Sequence, residues 1–106
     1  MIYRVALLTR AEEEAAEIVG WIAKRSPSGA ARWIEALEAM IRTLSSNPER
    51  FGLAPEDQFF HRELRQIMFK TARGRMYRAI FTIVADEVRI LHIRGPGQKP
   101  LKSNEI

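Results

Sequence analysis

The chain has 106 residues, 46% of them hydrophobic, and a formal net charge of +4. This length suits one domain around one core, and the apolar fraction excludes a wholly disordered chain. The absence of cysteine excludes disulfide and thiolate chemistry, and two histidines are little material for a zinc site. No run approaches the roughly 20 apolar residues of a membrane-spanning helix. Residues 1–8 lack the pattern of a cleaved leader, so we expect a cytoplasmic protein.

The first half of the chain predicts a strand and then a helix. Residues 2–8 are short, apolar and partly β-branched, which favours a strand. Thr9 and Glu12 have the spacing of a Thr-x-x-Glu capping box, which predicts that a helix begins at Thr9.

A second helix follows a short break at residues 26–29. Either serine of this break can cap it, and apolar residues recur at helical spacing as far as Leu44. Asn47 and Pro48 predict its end. The first half is therefore expected to be a strand followed by a helical hairpin.

The second half predicts a β-meander after a loop over residues 49–58. Residues 64–70, 76–84 and 88–94 are strand candidates, with a turn at Arg73 and Gly74 and a tight turn at Ala85 and Asp86. Connections this short require antiparallel pairing.

Alternation in the middle strand gives it two faces, one of which should pack on the helices. Tyr77, Ala79, Phe81 and Ile83 share one face, and Arg78, Ile80 and Thr82 share the other. The predicted fold is a two-layer α+β domain in the order βααβββ, spanning residues 1–106, with residues 95–106 as a C-terminal tail too weakly patterned for another element.

The net positive charge is confined to the second half of the chain. Residues 1–53 carry seven basic and seven acidic side chains, whereas residues 61–102 carry ten basic and three acidic ones. A neutral half joined to a basic half is typical of a protein that binds an anionic partner, and nucleic acid is the commonest one.

Several short motifs, in order, resemble those of a known family. They are the strand and acidic-start helical hairpin, Leu64 and Arg65, Tyr77 and Arg78 after Gly74, and the run from Ile90 to Gly95. Over nearly its whole length the chain resembles the RelE/ParE superfamily of bacterial toxins. The resemblance implies the toxin half of a type II toxin–antitoxin pair, which a cognate antitoxin neutralises in a hetero-oligomer.

The superfamily has two main mechanisms, and the sequence leaves both open. RelE-like members cut mRNA in the ribosomal A site without a metal, so no cofactor is expected, and ParE-like members poison DNA gyrase. The dense basic strands favour mRNA cleavage. The missing tyrosine after Tyr77, which RelE-like enzymes usually carry, favours gyrase. A third alternative is a basic nucleic-acid-binding module without toxicity, or a decayed toxin.

Cleavage by a ribose 2′-hydroxyl needs a base, an acid and cations that stabilise the phosphorane. The resemblance implies that Arg78 stabilises this charge, that Arg65 or Lys70 assists from the preceding strand, and that His92 acts as acid or base. Each has a structural alternative. Arg78 could be a solvated strand residue or form an ion pair, and Arg65 could form an ion pair. Lys70 could be part of a solvated rim around a turn, and His92 could be a packed, hydrogen-bonded strand residue.

Other residues are candidates for binding. Basic side chains that could contact nucleic-acid phosphates are Lys70, Arg73, Arg75, Arg94 and Lys99. Trp21 and Trp33 fit core packing or antitoxin contacts, since aromatic residues anchor interfaces. We expect the antitoxin to contact the hairpin and at least one sheet edge.

Overall fold

The chain folds into one four-stranded sheet with two helices on one face, and the computed structural model describes residues 2–106. The elements in chain order are β1 (Arg4–Leu7), α1 (Thr9–Ala23), α2 (Pro27–Leu44), β2 (Arg65–Phe69), β3 (Tyr77–Val84) and β4 (Glu87–Arg94). Short 3-10 helices lie at Pro48–Arg50, Pro55–Phe59 and Ser103–Glu105. This order confirms the α+β prediction. Within residues 2–106, no helix combines the length and apolar character needed to cross a membrane.

The strands are ordered β1-β4-β3-β2 across the sheet. β2, β3 and β4 form the antiparallel meander that the short connections predict. β1 pairs with β4 in parallel, with Val5 opposite Val88. A parallel pair needs a long crossover connection, which the hairpin and the first two strands of the meander provide. β1 and β2 are therefore the edge strands.

The main core lies between the helices and the sheet, on the face of β3 that carries Tyr77, Ala79, Phe81 and Ile83. Its centre is Trp33, whose ring centroid is 5.7 Å from that of Phe69 and 5.4 Å from that of Tyr77. Buried around it are Ala11, Ala15, Met40, Leu44, Ile67, Ala79, Phe81, Val88, Ile90 and Ile93. The regularly spaced apolar residues of α2 thus form the helix face that packs on the sheet.

A second, smaller cluster covers part of the opposite face. It comprises Ala54, Leu64, Ile80 and Leu101, with Phe60, Leu91 and Ile106 packed against it. The tail, which the sequence pattern did not predict to form another element, thus contains a packed residue and a short 3-10 helix. Leu101 packs in this cluster, and a 3-10 turn follows it at Ser103–Glu105.

The two helix starts differ from each other. At α2 the serine cap is confirmed, since Ser26 Oγ accepts from Gly29 N at 2.9 Å. At α1 the helix begins at Thr9 as predicted, but the capping box is wrong. Leu8 is the N-cap, with no side-chain cap. Leu8 N donates to Ile90 O, so the extended strand continues directly into the helix.

Candidate functional site

Arg78 lies on the sheet face opposite the helices, where a buried carboxylate holds it. Its Nη2 lies 2.5 Å from Glu56 Oε2, its Nη1 donates to Glu56 Oε1 at 2.9 Å, and Nη1 also donates to Gln66 Oε1 at 3.1 Å. The side chain of Glu56 is 0% exposed and that of Arg78 is 13% exposed. This bidentate ion pair neutralises the charge of Arg78 inside the protein.

Glu56 also holds the C-terminal tail, because its Oε2 accepts from Leu101 N at 2.8 Å. Burial alone would raise the pKa of Glu56, but the hydrogen bonds from Arg78 and Leu101 outweigh it and lower the pKa below its ordinary value. The carboxylate is therefore ionised at neutral pH, as its partners require.

Arg65 lies on a different face of the sheet from Arg78 and has different hydrogen-bond partners. In the sheet register Arg65 is opposite Phe81 of the main core, whereas Arg78 is opposite Arg94. Cross-strand partners share a face, so Arg65 and Arg78 begin on opposite faces of the sheet. Arg65 donates to Phe51 O at 2.6 Å and to Glu63 Oε1 at 3.2 Å. The two arginines are not brought together.

A β-bulge sets the position of His92. Ile80 is opposite His92 and Phe81 is opposite Ile90, so Leu91 is an extra residue in β4. Strict alternation would put His92 on the same face as Ile90. The bulge instead pairs it with Ile80 on the other face.

His92 is buried and bound to helix α1. Its side chain is 4% exposed, and its Nδ1 lies 3.3 and 3.2 Å from the two carboxylate oxygens of Glu14. Glu14 Oε1 also accepts from Ile93 N at 2.9 Å. Burial would raise the pKa of Glu14, but the bonds from His92 and Ile93 lower it overall. Glu14 thus accepts a hydrogen bond from the backbone edge of β4 beyond the end of β1.

The basic residues expected to contact phosphates fall into three places. Lys70 is exposed just after β2. Arg94 Nη2 donates to Lys99 O at 2.8 Å, and within residues 2–106 the buried Arg94 Nε has no acceptor. Arg73 and Arg75 lie in the exposed β2–β3 turn.

That turn forms one wall of a groove of about 610 Å³ whose other wall is the connection between α1 and α2. We call it the hairpin groove, and its lining includes Trp21, Arg32, Trp33, Arg73, Arg75 and Tyr77. Trp21 is 57% exposed, so it is accessible to a partner. Trp33 is 2% exposed and belongs to the core, so its burial corrects the expectation of a surface contact with the antitoxin.

The sequence does not predict the roles of Glu56 and Glu14, the two acids that bind Arg78 and His92. Glu56 reads as a polar loop residue between Pro55 and Asp57, and Glu14 reads as one of three helix-start glutamates. One signal was present: Glu14 is three residues after the buried Ala11 and one before the buried Ala15, on the inner stripe of α1.

Comparisons with known proteins agree with this architecture. The chain matches the family model described as the ParE toxin of the type II toxin–antitoxin system parDE, over residues 5–100. It therefore belongs to the ParE toxin family.

One solved structure, titled "Chromosomal ParDE TA system from P. aeruginosa", has a similar fold. It has a TM-score of 0.66 and 15% sequence identity, and the match covers 88% of this chain and 95% of that chain. No curated protein matches the sequence.

Proposed function

We propose that this protein is a growth-arresting toxin, kept inactive by a cognate antitoxin, and that its target is DNA gyrase rather than mRNA. Membership of the ParE toxin family supports the toxin role. The similar structure is a toxin–antitoxin system, which supports an antitoxin partner. The gyrase target follows from the resemblance to ParE-like members together with the geometry of Arg78.

The state of Arg78 is the observation that carries this mechanism. Phosphorane stabilisation needs a cation that faces the substrate. Arg78 is instead only 13% exposed and is held in an ion pair with Glu56, whose carboxylate also accepts a hydrogen bond from Leu101 N in the tail. Freeing its charge would leave the Glu56 carboxylate buried without a partner, which costs about 3–5 kcal/mol.

The side chains that could transfer protons in mRNA cleavage also support the gyrase target. His92 is buried against Glu14 rather than facing solvent. Tyr77 packs edge-on against Trp33 in the core, and the hydroxyl of Tyr3 donates to Glu49 at 3.1 Å. The sequence has no other tyrosine. Inhibition by binding needs no such catalytic set.

The contact surface for the antitoxin is proposed to include the hairpin and an edge strand. Trp21 offers exposed aromatic area on the hairpin, of the kind that anchors interfaces. β2 is at the end of the sheet, where an added strand can pair with its backbone.

The proposal predicts DNA damage without mRNA cleavage. The protein is induced in bacteria without its antitoxin, and a DNA-damage reporter and primer extension on a translated mRNA are read within minutes. We expect a strong reporter signal, intact coding sequence and, with purified gyrase, accumulation of cleaved DNA.

Co-expressed antitoxin is the control and should abolish these signals. Cuts in mRNA that require translation, with gyrase unaffected, would overturn the gyrase mechanism while leaving the toxin role intact. Harmless expression of folded protein would overturn both.

A further inference from the structure

The surface around the hairpin groove carries four exposed arginines without ion-pair partners. Arg32, Arg73 and Arg75 line the groove, and the guanidinium of Arg25 lies 4.0 Å from the ring centroid of Trp21 beside it. Within residues 2–106 every ion pair with a nitrogen–oxygen distance of 4.0 Å or less involves other side chains. The four charges are therefore available to a ligand.

The β2–β3 turn concentrates positive charge because no acid lies near it in sequence. Between Glu63 and Asp86 the chain has no aspartate or glutamate, and Lys70, Arg73 and Arg75 fall within seven residues of one another. Like charges gathered on one surface repel each other, so the free protein holds them at a cost that a bound polyanion relieves.

The turn holds its two arginines in a constrained backbone. Gly74 N donates to Thr71 O at 3.1 Å, and a Cβ atom at position 74 would overlap Thr71 Oγ1 where it now stands. Arg73 and Arg75 flank this glycine on both sides. A backbone already fixed in this way loses little freedom when a ligand binds to the flanking side chains.

The type and number of these cations favour a phosphate backbone. Each is an arginine, whose planar guanidinium donates two parallel hydrogen bonds to a phosphate. Several unpaired guanidinium groups on one surface match a chain of regularly spaced anions better than a single anion. Duplex DNA is such a chain, with one negative charge for about every 1.7 Å of its axis.

Duplex DNA fits this surface better than a single strand does. Single-stranded sites bind bases by stacking them on free aromatic faces. Arg25 already lies over the ring of Trp21. Trp33 and Tyr77 meet edge to face at 70° inside the core, so neither offers a platform for a base. Contacts to phosphate alone remain, and these do not depend on base sequence.

We propose that Arg25, Arg32, Arg73 and Arg75 bind the phosphate backbone of duplex DNA, and that the toxin uses this surface to hold the DNA on which gyrase acts. The DNA contact stands by itself, whereas its use at gyrase rests on the proposed function. The toxin then contacts both the enzyme and the DNA, and the DNA contact helps to retain the cleaved complex.

The salt dependence of DNA binding tests the contact. The intact protein is titrated into a fluorescein-labelled duplex of mixed sequence, and anisotropy is read between roughly 50 and 200 mM salt. Four phosphates neutralised by four arginines predict a slope of about −3.6 for log affinity against log salt concentration. An oligothymidylate and a polyglutamate of matched charge are the comparison ligands and should bind more weakly than the duplex.

Two pairs of substitutions locate the site. Arg73→Gln with Arg75→Gln should lower affinity at least tenfold at low salt and bring the slope to about −1.8, because two phosphate contacts are lost. Arg42→Gln with Arg62→Gln removes the same charge from exposed arginines outside the groove. This control should lower affinity less than threefold and leave the slope unchanged.

The same proteins are then compared for the accumulation of cleaved DNA by purified gyrase. We expect the groove variant to need at least tenfold more protein than the wild type or the control variant. A toxin that binds DNA with the expected slope and leaves gyrase unaffected would support the DNA site and contradict the gyrase target.

Three results would overturn the inference and leave the gyrase target standing. The first is gyrase poisoning by a wild-type protein whose DNA binding shows a slope near zero. The second is an equal loss of affinity in the groove and control variants. The third is tighter binding of oligothymidylate or polyglutamate than of the duplex through the same arginines.

Discussion

At the residue scale, two carboxylates join elements that are distant in sequence. Glu56 links a loop, β3 and the tail through Arg78 and Leu101. Glu14 links α1 to β4 through His92 and Ile93. Both carboxylates have pKa values below the ordinary range, because hydrogen bonds to the charged form outweigh burial. Each therefore stabilises the fold only while it is ionised.

This arrangement predicts acid sensitivity at Glu14. A lowered folded pKa means that the folded state binds fewer protons, so its stability is present above the unfolded pKa of about 4.3 and is lost as pH falls further. Glu14→Gln removes the titrating group and keeps an acceptor for Ile93 N. We expect its unfolding free energy, from urea titrations, to fall less steeply below about pH 4.5. An unchanged slope would contradict the role given to Glu14.

At the element scale, the C-terminal tail is a packed part of the domain. Leu101 is 4% exposed in the second cluster, and its N–H is bound by Glu56. Arg94 and Gln98 fasten the tail further through Lys99 O and Gly95 N. The tail thereby covers part of the face that carries Arg78.

Leu101→Ala tests this packing. Removing a buried leucine side chain costs about 2–5 kcal/mol, and the small size of this cluster places the expected loss near 2–3 kcal/mol. The adjacent exposed residue is the control, since Lys102→Ala should change the unfolding free energy by less than about 0.5 kcal/mol. Equal effects in urea unfolding would show that the tail is not docked in solution.

The sequence predicts the elements well, because their patterns are local. The helical spacing of apolar residues predicts α2, and Ser26 predicts its N-cap. The alternation of apolar and polar residues predicts β3. The parallel pairing of β1 depends on a distant strand, and the bulge at Leu91 breaks the alternation that places His92. Glu56 lies in a loop without periodic spacing, so its ion pair with Arg78 cannot be predicted from the neighbouring residues.

At the scale of the whole molecule, the two sheet faces and the hairpin have separate roles. One face carries the helices and the main core. The other carries a smaller cluster and the Glu56–Arg78 pair. Free cationic surface remains at the hairpin groove. Inhibition by binding, as proposed above, would use this surface and requires no catalytic set.

We propose that Arg78 supports the fold and performs no chemistry. Arg78→Met alone leaves the Glu56 carboxylate buried without a partner and should cost about 3–5 kcal/mol, so its loss of toxicity would be uninformative. Glu56→Gln combined with Arg78→Met removes both charges and keeps an acceptor for Leu101 N. Replacing a whole buried ion pair with apolar residues of similar volume is often neutral or stabilising, so this double variant should be much less destabilised than Arg78→Met alone.

The most direct measurement is therefore growth arrest by the induced Glu56→Gln/Arg78→Met variant, with its unfolding midpoint measured in parallel. We expect a midpoint close to that of the wild type and full growth arrest. A variant that folds like the wild type and no longer arrests growth would contradict this proposal and support a catalytic role for Arg78.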